Sequence, residues 1–158
     1  MTEKERLIAG VLAVAFDDQG SIFLTQRHSP NSPNEHQRWQ FPGGAMEFGE
    51  HPEQTLRREI EEELQVVDID LLHPQPIIRS TTFTRQDSEG AEIAYQLLMF
   101  AYLVSLPKKV NIDNDPETSA YAWIPYPELQ TLNTLPLVTG IAEEARKIWD
   151  QTKEKRHA

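Results

Sequence analysis

The chain of 158 residues contains no cysteine. That excludes disulfide staples, thiolate metal sites and a cysteine nucleophile, and leaves oxygen and nitrogen donors for any bound metal. No apolar run approaches the roughly twenty residues a helix needs to span a bilayer, so no membrane partner is expected. Positive charge is also scarce, with 15 Lys and Arg against 25 Asp and Glu and a formal net charge of -10. This balance argues against nonspecific binding to duplex nucleic acid or to an anionic membrane. It does not argue against nucleotides, which can be held through a bridging cation. A signal-peptide pattern is missing, because Glu3, Lys4, Glu5 and Arg6 precede an apolar run that stops at Asp17. Together with the lack of cysteine, this predicts a cytoplasmic setting.

The composition is that of an ordinary globule, 39% hydrophobic and 25% charged, of a length that predicts one domain over residues 1–158. Its acidic charge is unevenly placed. Seven carboxylates crowd between Glu47 and Glu63, within the stretch GGAMEFGEHPEQTLRREIEEELQV. Pro52 suits a first helical position, and good helix formers fill most positions from Glu53 to Leu64, so a helix is predicted over 52–64. Glu59, Glu62 and Glu63 then fall at i, i+3 and i+4 and share one arc beside the apolar row Leu56, Ile60 and Leu64. The last turn of a helix already presents partial negative charge, so a Glu61-Glu62-Glu63 run there opposes the dipole. Glu59 and Glu63 also repel at i,i+4. A hard divalent cation would reverse both effects, and Mg²⁺ in particular takes carboxylate oxygens while sharing positions with substrate phosphates. The plainer alternative is a solvated acidic face.

The wider spacing separates the two. Gly44, five residues, Glu50, seven residues, Arg58-Glu59-Ile60, one residue, Glu62-Glu63, one residue, Gln65-Val66 resembles the Nudix box over 44–66. Only the last Gly of that pattern is replaced, by Gln65. A Gly there would suit a left-handed residue closing the helix, and a non-Gly residue costs of order 1 kcal/mol if that geometry is kept. His51, before Pro52, is a weaker N-cap than Ser or Thr.

Around the box the chain reads as strands and loops. The apolar runs 7–16 and 21–26, separated by the turn signal Asp17-Asp18-Gln19-Gly20, predict a hairpin. Residues 27–38 are polar with Pro30 and Pro33, a surface loop that reads either as a specificity loop, from its place before the box, or as a passive connection. Trp39 to Gly44 reads as a short strand and tight turn, with Gly43 and Gly44 able to bring backbone close to a cation or phosphate. A strand is expected from Val66 to Ile69, a second hairpin from 77–85 and 91–105 with the latter strand central, and a further strand at 120–124. Leu137, Ile141, Ala145, Ile148 and Trp149 lie at helical spacing, and residues 152–158 read as a charged, frayed tail. Strands mixed with two helices indicate an α/β class.

The resemblance implies a Nudix-type α/β/α sandwich with a mixed central sheet, and a hydrolase acting on a nucleoside diphosphate linked to a further group X. It implies Glu59, Glu62 and Glu63 as ligands of Mg²⁺ or Mn²⁺, with the Gly44 carbonyl beside them. Arg58 would organise the carboxylates, pairing with Glu50 or with Glu62, while Gly43 shapes the turn. Glu117, ahead of the strand bearing Trp123, is implied as a further ligand or as the base, and the base is either Glu59 or Glu117. Arg27, Trp39, Arg79 and Arg85 are candidate contacts for a nucleotide-type substrate. Trp39, like Phe41, reads first as core rather than as a platform for a base, and isolated arginines are more often solvated charge than phosphate contacts. The family's marks for ADP-ribose and for dinucleoside polyphosphates are not evident, since Thr81 and Phe83 stand near those places. A silent nucleotide-sensing module is the alternative, which retention of the box charges disfavours. Isopentenyl diphosphate isomerase has a similar architecture but uses a catalytic Cys. Dimerisation is common among such proteins, so a homodimer remains open.

Overall fold

The computed structural model describes residues 1–157. Seven strands and two α-helices run in the order β1 (Glu5–Val14), β2 (Ile22–Arg27), β3 (Trp39–Gln40), β4 (Gly43–Ala45), α1 (Pro52–Leu64), β5 (Ile77–Gln86), β6 (Glu92–Leu103), β7 (Thr118–Ile124) and α2 (Val138–His157), with a 3-10 helix at Tyr126–Thr131 before α2. The strands form two sheets, one of order β4-β1-β6-β5 and one of order β3-β2-β7. The first is mixed, because β1 runs parallel to β6 while β4 and β5 pair antiparallel. As expected, β6 is central and forms a hairpin with β5.

Alternation along β1 separates two cores. Val11, Ala13 and Ala15 face the cluster that buries Leu56, Ile60 and Leu64 of α1. Val14 and Phe16 face the cluster that buries Ile141, Ala145 and Trp149 of α2. The period of two thus places one helix on each side of the strands, which makes the α/β/α sandwich.

Four expectations are corrected. β1 and β2 are not a paired hairpin, for they meet only at the bridge between Phe16 and Ile22. A strand has two edges, and β1 uses both, on β4 and on β6, so β2 passes into the second sheet. Residues 66–69 form no strand, because the left-handed Gln65 (φ 55) and Asp68 (φ 60) interrupt the extended run. Ile69 is buried against α1 nevertheless. Finally, 152–157 is not frayed but helical, continuing α2 beyond the buried Trp149; Ala158 lies outside the described residues. Leu137, expected inside that helix, is left-handed (φ 77) and precedes it.

Candidate active site

The site begins where β4 meets α1. Pro52 opens the helix, and His51 caps it with both backbone and ring. The His51 N–H donates to Gln54 Oε1 at 2.7 Å, and His51 Nδ1 accepts from the Glu53 N–H at 3.4 Å. The imidazole thus does the work usually done by a hydroxyl. At the other end, Gln65 has φ 55 and ψ 36, and its N–H closes onto the Glu61 carbonyl at 2.9 Å. The left-handed geometry is kept without the glycine that favours it.

Glu59 and Glu63 turn toward β4. An added Cβ on Gly44 would stand 2.5–2.7 Å from the Glu59 carboxyl atoms, so only glycine leaves that carboxylate its place. Gly43, at φ +147, leaves similar room for the Val11 carbonyl, which a Cβ would meet at 2.0 Å. The Gly43 N–H donates to Glu63 Oε2 at 3.1 Å. Burial pushes the Glu63 carboxyl up to about 9, with the charges of Glu59, Asp115 and Glu117 adding to the rise and the Gly43 hydrogen bond opposing it. Burial likewise raises Glu59, against the pull of Arg58.

Arg58 organises this cluster. Its Nε and Nη2 donate to both oxygens of Glu50 at 2.8 and 2.9 Å, while Nη1 reaches Glu59 at 2.8 Å and Glu62 at 3.4 Å. Both pairings foreseen for Arg58 are therefore present, and Nη2 also holds the Ala45 carbonyl at 3.2 Å. Arg58, the Glu47 N–H and the Thr55 hydroxyl hold Glu50 down to about 2, so it stays ionised and anchors the loop to the helix. Glu62 remains the open carboxylate, with its side chain 60% exposed.

Glu117 precedes β7, and its carbonyl accepts from the His28 N–H at 2.7 Å, tying it to the polar loop after β2. Asp115, which sequence reasoning missed, accepts from the Glu117 N–H at 3.0 Å and the Thr118 hydroxyl at 2.6 Å. An Asp two residues before a candidate Glu is a visible signal for such a turn. The other candidates are scattered. Arg27 and Arg85, from different sheets, both pair with Glu35. Arg79 pairs with Glu144 of α2. Trp39 is half-buried against the core shared with α2, as the core reading would have it.

The fold and this cluster define a class: an α/β/α sandwich whose loop-helix segment presents carboxylates against a glycine-rich strand. The family model described as the NUDIX domain matches residues 6–147, and the chain belongs to that family of hydrolases, which act on phosphoanhydrides. It is 31% identical over 135 residues to an RNA pyrophosphohydrolase of Nitratiruptor sp., covering 80% of this chain and 83% of that one. Over 62 residues it is 42% identical to the 8-oxo-dGTP diphosphatase of Haemophilus influenzae, covering 39% of this chain and 42% of the relative. The crystal structure of a MutT protein from Methanosarcina mazei superimposes with a TM-score of 0.61 at 17% identity, covering 96% and 99% of the two chains.

Nudix hydrolases generally use divalent metal ions, and the donor set here fits one. It consists of carboxylates without thiols, two of them part-buried together, and Gly44 keeps space for one of the two. Among the described residues, no three such side chains are already gathered to one point. The Arg58 guanidinium stands among them. No helix among the described residues is long and apolar enough to cross a membrane.

Proposed function

We propose that the protein hydrolyses a phosphoanhydride bond of a nucleoside diphosphate linked to X, a nucleoside triphosphate being one such substrate, with Mg²⁺ or Mn²⁺. The observation that carries this reading is the seat of Glu59: a part-buried carboxylate fitted against Gly44, where a side chain would collide with it. Placing two like charges in a part-buried site is unfavourable unless a cation joins them. Glu59, Glu62 and Glu63 would hold the ion, with the Gly44 carbonyl as a further donor. When bound, it supplies charge neutralisation of the diphosphate and acidification of water.

The protein's own groups do the rest. Arg58, fixed by Glu50, orients Glu59 and Glu62 so that little reorganisation remains on substrate binding. Glu59 or Glu117 takes the proton from the attacking water. Arg27 and Arg85, which share Glu35, would exchange that carboxylate for a substrate anion, and the stacked rings of Phe83 and Tyr95, 5.2 Å apart, lie beside Arg85. The names of the relatives support a triphosphate substrate, in which X is the terminal phosphoryl group, carried either by a nucleotide or by an RNA.

Product analysis tests this directly. Incubation with nucleoside triphosphates, nucleotide sugars, dinucleoside polyphosphates and triphosphate-ended RNA, with and without metal, should give metal-dependent cleavage that Glu62→Gln lowers by about 10²-fold or more. Unchanged turnover in that variant at saturating Mg²⁺ removes Glu62 from the site. Binding without cleavage across the set would favour nucleotide sensing instead.

A further inference from the structure

A recess of about 660 Å³ opens beyond the C-terminal end of β1, a size within the range of small-molecule sites. None of the acidic cluster lines it. Its walls carry Trp123 of β7 and Trp149 of α2, together with Lys108, Lys153 and Arg156. Each indole has an ammonium over its ring: Lys108 Nζ lies 5.0 Å from the centroid of Trp123, and Lys153 Nζ 4.9 Å from that of Trp149. Such contacts are attractions to the ring faces that offset part of the rotamer entropy flexible lysines lose when held.

The charge of this recess opposes that of the chain. Of the two carboxylates at its rim, Asp17 is already engaged. It pairs with Lys108 and accepts the N–H groups of Gln19 and Ser21 at 3.0 and 2.8 Å. Among the described residues, neither Lys153 nor Arg156 has a carboxylate within ion-pair distance. The Trp123 indole is fixed as well, its Nε1 donating to the Lys108 carbonyl at 2.9 Å. Indole surfaces that already hold cations over their rings, beside Lys153 and Arg156 with no ion-pair partner among the described residues, favour an anion carrying an aromatic body that can exchange with those ammonium groups, in a protein of net charge -10.

We propose that this recess binds a small organic anion of the aryl phosphate class, at a site separate from the acidic cluster. The probe is 2-naphthyl phosphate, titrated into the ¹⁵N-labelled full chain in EDTA so that the acidic cluster offers no metal. The chain has three Trp indoles, assigned with a Trp39→Phe variant. Saturable shifts should appear at Trp123 and Trp149 and not at Trp39. Lys153→Glu combined with Arg156→Glu should raise Kd by about tenfold or more, and Lys153→Arg with Arg156→Lys should restore binding. Both positions are exposed on the final turns of α2, and a melting curve confirms that the variants fold. Uncharged 2-naphthol should bind much more weakly. The inference is overturned if no saturable shift occurs at millimolar probe, if the double Glu variant binds like wild type, or if 2-naphthol binds equally well.

Discussion

The two helices treat charge in opposite ways. The final turns of α2 carry Lys153, Lys155 and Arg156, cations that suit the negative end of a helix dipole. The last turn of α1 carries Glu61, Glu62 and Glu63 and no basic residue, against the same dipole. Both helices bury an apolar stripe on the same strands, so packing does not explain the difference. In α2 charge follows what a helix prefers. In α1 it is held in place against that preference by Arg58 and by the backbone of Gly43, and the opposed charge marks where a ligand cation is expected.

That contrast is broken most strongly at Arg58. Replacing it with Gln leaves the part-buried Glu59 without its cation, which should cost about 1–3 kcal/mol of stability, and also releases Glu50. Because the carboxylates lose their orientation, turnover should fall by about 10²-fold, measured alongside thermal melting. Near-normal turnover in a folded Arg58→Gln protein would show that the clamp does not position the site.

Glu63 sharpens the contrast in the metal-free protein. Its carboxyl, raised from an ordinary 4.5 to about 9, binds its proton more tightly folded than unfolded. Between those two values the folded state therefore holds the extra proton, and this contribution to stability is lost as pH rises. Melting in EDTA should show stability declining from pH 5 toward pH 9 (about that window by linkage), and Glu63→Gln should flatten the slope. An unchanged slope in the variant would assign the decline to other groups.

The smallest effect belongs to the helix end. Gln65→Gly should add about 1 kcal/mol by relieving the left-handed residue, a rise of roughly 2–4 °C in Tm, with turnover unchanged. A lower Tm would mean that the Gln65 side chain makes a compensating contact.

The box helix was legible almost to the residue, because Pro52 and the run of helix formers act locally and the carboxylate spacing is itself a helical period. The pairing of Arg58 with Glu62 was legible for the same reason, being i,i+4 on one helix, whereas that with Glu50, in the loop before α1, was offered as the family pattern implies it. Partners were where the sequence misled: the supposed hairpin of β1 with β2, the strand after α1, and the end of α2. Each depends on which edge or face is already taken, and hydrophobic periodicity is silent on that.

By itself, then, the sequence determined the helix, its acidic arc and the family pattern, all set by residues near one another in the chain. Only the tertiary structure decided how deeply Glu63 is buried, that Gly44 makes room for Glu59, that Arg27 and Arg85 converge on Glu35, and that two tryptophans and three cations share a recess. Desolvation, steric clearance and charge pairing depend on which distant segments meet, and that is fixed by packing rather than by spacing along the chain.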